Sequence, residues 1–259
     1  MTSHDPASDR ASADDPFDYA CPTPERRPQD PIRQDLVVAH CRAWQRLARP
    51  GTWRSGRERV AIAAEARAAA YCGFCRRRRE ALSPYGSEGD HDQVSSEILS
   101  AVEIDTIHRL VTDASRLTRT WYRGLAAAGL PATHYVELLS VVVELLSIDG
   151  FHRAMGIGPE PLPEPLAGEP SRKRPAGTVE GRAWVPMLPS GKLSGEEADL
   201  WDGFTGNVIR AMSLVPDAVR GLKELSSAAR PLSTRQASSE TSNEWCELRM
   251  ARGFPSTHP

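Results

Sequence analysis

The segment from Thr133 to Met155 constrains the fold more than any other part of the chain. Aliphatic side chains between residues 138 and 148 fall on nearly every side of a helix of this length. A helix that is apolar almost all round is normally buried among other elements. The sequence therefore predicts a central helix against which further helices pack.

Apolar residues at helical spacing predict several further helices around this central one. Proline and glycine mark most of their ends, as at Pro50-Gly51 and before Pro84. The predicted helices cover residues 35–49, 57–82, 97–129 as two helices, 133–155, and 207–229 with a break near Pro216. The fold class predicted from this pattern is all-α, in the form of a helical bundle.

Changes in composition divide the chain into five parts. Residues 1–34 are rich in Pro, Asp, Arg and Ser, which bury little apolar surface, and are expected to form a disordered leader. We expect a helical domain over 35–160, a proline-rich linker over 161–205 and an incomplete second helical unit over 206–230. Residues 231–259 show no apolar period and are expected to form a disordered tail.

Charge and hydropathy exclude several functional classes. The formal net charge of −2 gives no general attraction to nucleic acid or to an anionic membrane. No apolar run approaches the roughly 20 residues needed to cross a bilayer, and residues 1–15 lack the regions of a signal peptide. A cytoplasmic location is therefore expected. In a reducing compartment a close pair of cysteines is more often catalytic or metal-binding than a structural disulfide.

The strongest chemical signal is the pair Cys72 and Cys75, which is followed directly by four arginines at 76–79. Two thiols at this spacing can act on one another, and nearby positive charge lowers a thiol pKa. On the predicted long helix, Glu65 and Arg79 fall on the same stripe as both cysteines. The pair lies near the C-terminal end of that helix, so the helix dipole is expected not to favour the thiolates.

Two interpretations of this stripe are open. In the functional one, Cys75 attacks an oxidised substrate, Cys72 resolves the resulting sulfenic acid as a disulfide, and Glu65 holds or moves a proton. In the structural one, both cysteines are small core residues. His91 follows on a loop that can fold back to bring its imidazole near the thiols, although it can equally be an ordinary turn histidine.

Other polar residues receive plainer interpretations. A zinc site is not expected, because no second Cys/Cys or Cys/His pair of the usual spacing completes four ligands, and no other cofactor is expected. His108 lies in an apolar helix and is expected to be a hydrogen-bonded, partly buried residue.

Glu137 and Glu144 share one stripe of the central helix. They are candidates for a proton relay if that stripe faces a pocket, and otherwise its polar side.

The order of elements resembles the alkylhydroperoxidase D-like, or carboxymuconolactone decarboxylase-like, family over about residues 35–230. The residues that carry the resemblance are Cys72-Gly-Phe-Cys75, then Ala127-Ala-Gly-Leu-Pro-Ala-Thr-His-Tyr-Val-Glu-Leu, then Asp149-Gly-Phe-His-Arg-Ala-Met-Gly156. The chain is most similar to a two-copy branch of this family, with a second copy that is truncated or altered.

The resemblance implies an all-helical peroxidase-like antioxidant or disulfide-exchange enzyme. Cys75 would be the peroxidatic thiol and Cys72 the resolving thiol, acting on a hydroperoxide or disulfide and regenerated by a thiol reductant protein. Where the family motif commonly has a relay histidine, this chain has Arg79. The incomplete second unit leaves apolar surface, so a homo-oligomer is expected. The alternatives are a catalytically degenerate scaffold and a lactone decarboxylase or isomerase that uses no thiol.

Overall fold

The computed structural model describes residue 17 and residues 32–181, 183–203 and 205–229. This part of the chain contains eight α-helices and no strand beyond an isolated bridge between Val179 and Met187. The helices are α1 (Gln34–Ala48), α2 (Gly56–Ala69), α3 (Gly73–Glu80), α4 (Ala101–Thr112), α5 (Arg119–Ala127), α6 (Ala132–Ala154), α7 (Asn207–Ala211) and α8 (Pro216–Ala229). The predicted all-α fold is confirmed.

Among the helices of the described residues, no single one is long and apolar enough to cross a bilayer. Helices α5 and α6 reach the required length and composition only when taken together, and that pair is bent by 118° where the two meet.

The predicted helix over residues 57–82 is wrong in its middle. Helix α2 ends at Ala69, and α3 begins only at Gly73. The chain turns between them, with the N–H of Cys72 donating to Ala69 O (3.2 Å), and Cys72 then takes an extended conformation. Its sulfur accepts the N–H of Cys75, as a helix N-cap does, and Gly73 supports helix poorly. The alanine-rich sequence gives no sign of this break, because alanine favours an uninterrupted helix.

The structure groups the chain into two compact units. Of the described residues, the first unit comprises 17, 32–43, 147–161 and 224–229, and the second comprises those of 44–146 and 162–223. The proline-rich segment hydrogen-bonds to the end of α1 and the α1–α2 connection, with Leu166 N–H donating to Ala48 O (2.8 Å) and Ser171 N–H to Gly51 O (3.1 Å). It is integrated into the second unit.

In the first unit, one residue of the predicted leader is part of a packed core. Phe17 is buried, and its ring lies 5.6 Å from that of His40 and 5.7 Å from that of His152 between centroids. Its backbone N–H donates to a carboxylate oxygen of Glu160 (3.2 Å). The leader thus contributes apolar burial at this position, contrary to expectation. Its other residues before Ile32, and the predicted tail, lie outside the described residues.

In the second unit, the acids of the central helix are ion-paired. Glu137 is fully buried, and its Oε1 accepts from Arg59 Nη1 (2.6 Å) while its Oε2 accepts from the N–H of Trp53 (2.6 Å). Glu144 accepts from Arg46 Nη2 (3.2 Å) at the edge of the unit. Each acid therefore pairs with an arginine, Glu137 with one of α2 and Glu144 with one of α1. The two predicted interpretations, a proton relay and the polar side of the helix, do not describe this pairing.

A Glu137→Ala variant is expected to lower the free energy of unfolding by about 3–5 kcal/mol, because Arg59 would stay buried without its counter-charge. Urea denaturation at neutral pH measures the change. Glu144→Ala is the matched control on the same helix, and its partly exposed pair predicts a loss of about 1 kcal/mol or less. Equal losses of unfolding free energy in the two variants would show that burial of the Arg59–Glu137 pair does not make its disruption more costly.

Candidate thiol–histidine site

Cys72 and Cys75 occupy the start of α3. Cys72 is the N-cap residue and Cys75 lies in the first turn, and their exposed fractions are only 2% and 1%. The N-terminal end of a helix carries partial positive charge and favours anions. The expectation that the dipole gives no help to the thiolates is therefore wrong, because it depended on one continuous helix with the pair at its other end.

Two histidines converge on the sulfurs. His91 lies in the irregular segment 81–100, which folds back, the first of the two interpretations left open for it, and places its Nδ1 3.4 Å from Cys75 Sγ and 3.8 Å from Cys72 Sγ. His108 comes from α4 and is fully buried, with its Nδ1 3.2 Å from Cys75 Sγ. It was expected to be hydrogen-bonded and partly buried, without a contact to the cysteines.

A carboxylate stands behind each histidine. Glu65 Oε1 lies 2.8 Å from Nε2 of His108, and Asp105 Oδ1 lies 3.1 Å from Nε2 of His91. When each Nε2 carries the hydrogen, it donates to its carboxylate and leaves Nδ1 facing sulfur. Glu65 is fully buried, and its Oε2 is held by the backbone N–H groups of Val94 (3.0 Å) and Ser95 (2.9 Å).

Glu65 thus belongs to the site, but not for the reason that the sequence suggested. The predicted stripe placed it beside the cysteines on one helix, whereas it lies on α2 and the cysteines belong to α3. Its contact with Cys75 runs through His108.

Of the four consecutive arginines, Arg78 is the one that contacts a thiol. Its side chain is fully buried, with Nη1 donating to Asp105 Oδ1 (2.7 Å) and Nη2 lying 3.5 Å from Cys75 Sγ. The guanidinium carbon lies 5.2 Å from the centre of the Phe74 ring. Arg79, predicted to point along the cysteine stripe, is exposed. The helix break explains the change, because it shifts the face that points inward.

The contacts shift three pKa values in directions that favour an ion pair. Burial by itself would raise the pKa of Cys75, but hydrogen bonds from His108 and His91 outweigh it and lower that pKa to about 5. Burial would lower the pKa of His91, yet Asp105 and both sulfurs raise it to about 10. The pKa of Asp105 is held well below its usual range, against burial, by His91 and neighbouring arginines.

The two sulfurs and the two Nδ1 atoms form one cluster in which all four atoms lie within 4.8 Å of one another. A second ligand pair close in sequence, whose absence spoke against zinc, is not needed in this fold. His91 and His108 come from different elements and stack with ring centroids 4.0 Å apart. A histidine among inward-facing aliphatic residues of α4 was the available signal, because a buried imidazole needs polar partners.

The chain matches no protein-family model, and no curated protein or solved structure is significantly similar to it. The class of protein is defined by its own fold and site. It is an all-α protein with a buried cluster of two thiols and two histidines, each histidine backed by a carboxylate.

Proposed function

We propose that this protein is a thiol-dependent peroxidase-like or disulfide-exchange enzyme in which Cys75 is the nucleophile. The observation that carries the proposal is the buried line from Cys75 Sγ through His108 to Glu65, with contacts of 3.2 and 2.8 Å. A nucleophile beside a base that a third group orients is the usual arrangement for covalent catalysis. The position of Cys75 in the first turn of α3 also stabilises its thiolate.

The first step oxidises Cys75. Because its pKa is lowered to about 5, Cys75 has already passed its proton to the neighbouring histidines at neutral pH, and the thiolate attacks the outer oxygen of a hydroperoxide. A sulfur–oxygen bond forms as the oxygen–oxygen bond breaks, and His108 returns the proton to the leaving alkoxide, which departs as an alcohol. Cys75 is left as a sulfenic acid.

The second step forms a disulfide. The thiolate of Cys72 attacks the sulfur of the sulfenic acid, and the oxygen leaves as water after protonation. Two electrons have then passed from the two thiolates to the hydroperoxide. A thiol reductant protein returns them by disulfide exchange and regenerates both thiols.

The proposed relay compensates for the departure from the alkylhydroperoxidase D-like motif at Arg79. The histidine expected there is replaced in function by His108, which reaches Cys75 from α4. His91 and Asp105 form a second histidine–carboxylate line to the same sulfur. The proposed membership of that family is consistent with this substitution, because catalytic roles follow geometry and not chain position.

Burial restricts the substrate in this proposal. The sulfur of Cys75 belongs to a residue that is 1% exposed, and the nearest exposed part of the cluster is His91, whose side chain is 11% exposed. A substrate therefore enters past the 81–100 segment. Hydrogen peroxide or a short alkyl hydroperoxide fits this access better than a bulky aromatic one.

Titration of the reduced full-length protein with hydrogen peroxide tests the proposal. One equivalent is expected to produce a Cys72–Cys75 disulfide, detected by peptide mass spectrometry as the loss of two hydrogens. Cys41, which belongs to the first unit, serves as the internal control and is expected to stay reduced. Cumene hydroperoxide should react more slowly. A site that stays reduced under excess hydrogen peroxide would contradict the proposal.

The burial of both sulfurs also supports the second candidate, a catalytically degenerate scaffold in which the cysteines only pack. Reaction with iodoacetamide at neutral pH separates the two. The enzyme hypothesis predicts preferential alkylation of Cys75 in the folded protein. The scaffold hypothesis predicts that both thiols react only when the protein unfolds.

A further inference from the structure

We propose that Cys72, Cys75, His91 and His108 bind one Zn²⁺ ion in the reduced protein, and that this ion competes with the hydroperoxide for Cys75. Binding of the metal stands on the geometry of the four side chains alone. The competition rests on the proposed function. The bound ion would therefore prevent the thiolates from reacting with the hydroperoxide, and its removal would make them reactive.

The spacing of the ligand atoms fits a tetrahedral ion. Zinc bonds of about 2.3 Å to sulfur and 2.0–2.1 Å to nitrogen give tetrahedral edges of about 3.5 Å between sulfur and nitrogen. The observed sulfur–nitrogen separations are 3.2 Å from Cys75 to His108, 3.4 Å from Cys75 to His91, and 3.8 Å from Cys72 to His91. A set of two sulfurs and two nitrogens favours zinc among divalent ions.

The orientation of the histidines gives a second argument. Both direct Nδ1 toward the sulfurs and Nε2 toward a carboxylate, His108 to Glu65 and His91 to Asp105. Histidines that ligate a metal almost always donate the other ring N–H in this way. With both Nε2 hydrogens committed, an ion that displaces the remaining hydrogen from between the histidines and the sulfurs meets two nitrogen lone pairs and two sulfurs that face one another. A doubly charged metal ion can bind all four groups at once. General-base catalysis at Cys75 would need only one of the two imidazoles, so it does not explain why both face the sulfurs.

The surroundings suit two metal-bound thiolates. Cys72 Sγ accepts the N–H groups of Cys75 (3.5 Å) and Asp92 (3.4 Å), and Arg78 Nη2 lies 3.5 Å from Cys75 Sγ. Donors directed at sulfur stabilise its charged form. The two negative charges balance the charge of the ion.

Four protein ligands leave no open position, which is the arrangement of a structural zinc site. The ion would join the start of α3, the 81–100 segment and α4 through one centre. Oxidation breaks this centre, because a disulfide no longer offers two thiolate ligands. Two thiolates, one hydroperoxide and two protons give the disulfide, an alcohol and water, and the Zn²⁺ ion is released without a change in its own charge.

Anaerobic titration of the reduced full-length protein with Co²⁺ tests the metal site, because thiolate–cobalt charge-transfer bands report sulfur ligation and the visible bands report tetrahedral geometry. One equivalent per chain is expected, displaced by Zn²⁺. Cys72→Ser and His91→Asn should lose stoichiometric binding, while Cys41→Ser in the first unit should bind as the wild type does. Asp105→Asn keeps all four ligands and should weaken binding about 10- to 100-fold. Octahedral cobalt bands without charge transfer would overturn the site.

Hydrogen peroxide added to the zinc-loaded and chelator-treated forms tests the competition. Disulfide formation is expected to be at least about tenfold slower in the loaded form, with zinc released into a colorimetric chelator in step with oxidation. Metal binding without peroxide reaction in either form would refute the competition and the proposed function while the zinc site stands. Peroxide reaction without any metal binding would overturn the zinc site and leave the proposed function standing.

Discussion

A Cys75→Ser variant is expected to consume hydrogen peroxide about a thousandfold more slowly than the wild type, or not at all. A serine hydroxyl stays protonated at neutral pH and is not oxidised by peroxide. The variant therefore lacks the nucleophile on which His108 and Glu65 act. The loss of a covalent nucleophile is among the largest single effects known in enzymes. Peroxide remaining in solution, followed under conditions of excess reductant with the metal removed, gives the rate.

The Cys72→Ser variant is the matched control for this result. It removes the resolving thiol and leaves Cys75 with both histidines. The first oxidation should therefore proceed at a rate within a few-fold of the wild type and stop at the sulfenic acid, which dimedone traps for mass spectrometry. A trapped sulfenic acid on Cys72 in the Cys75→Ser protein, formed at the wild-type rate, would reverse the two roles.

A Glu65→Gln variant is expected to slow hydrogen peroxide consumption at neutral pH by about 100- to 10,000-fold, the range for loss of general acid–base assistance. The glutamine oxygen can still accept the N–H groups of Val94 and Ser95, which places its NH₂ group against His108 Nε2. His108 then carries its one ring hydrogen on Nδ1 and donates it toward the thiolate of Cys75. It cannot give that hydrogen to the leaving alkoxide without becoming an anionic imidazolate.

Glu58→Gln is the matched control for this charge removal. Glu58 lies on the same helix, where its carboxylate accepts the N–H of Ser55 (2.8 Å) in the N-terminal capping box. Its replacement should leave peroxide consumption unchanged and cost about 1 kcal/mol of stability at most. Peroxide consumption by the metal-free protein under excess reductant, with circular dichroism to verify folding, measures both variants. Equal rates of peroxide consumption in the Glu65→Gln and wild-type proteins would remove Glu65 from the mechanism.

The fold class could be predicted because apolar periodicity is a local property of the sequence. The central helix, predicted over 133–155, is observed as α6 at Ala132–Ala154. The break before Gly73 could not be found in this way. Alanine tolerates either continuation, and the deciding event is a sulfur that accepts a backbone N–H. The inclusion of the proline-rich segment in the second unit depends on distant backbone hydrogen bonds, which periodicity does not report.

Of the candidate residues named from the sequence, Cys72, Cys75 and His91 lie close together in the structure, and Glu65 reaches them through His108. The cysteines stand out by their spacing, and His91 by its place on a nearby loop. The contacts of His108 and Arg78 with Cys75 could not be predicted, because they depend on how α4 packs against α2 and α3. One residue of error in helix phase is enough to exchange Arg79 for Arg78 on the inner face. The helical stripe that suggested Glu65 is broken at Cys72.

The capping role of Cys72 connects the chemistry of the site to the end of a helix. The sulfur that would close the disulfide is the same atom that accepts the N–H of Cys75 and fixes the first turn of α3. A disulfide sulfur is a weaker acceptor than a thiolate, so under the proposed function oxidation of the pair would loosen that turn. Helix α3 also carries exposed arginines on its outer face. The oxidation state of the buried pair would therefore change how firmly a short cationic helix is held at the protein surface.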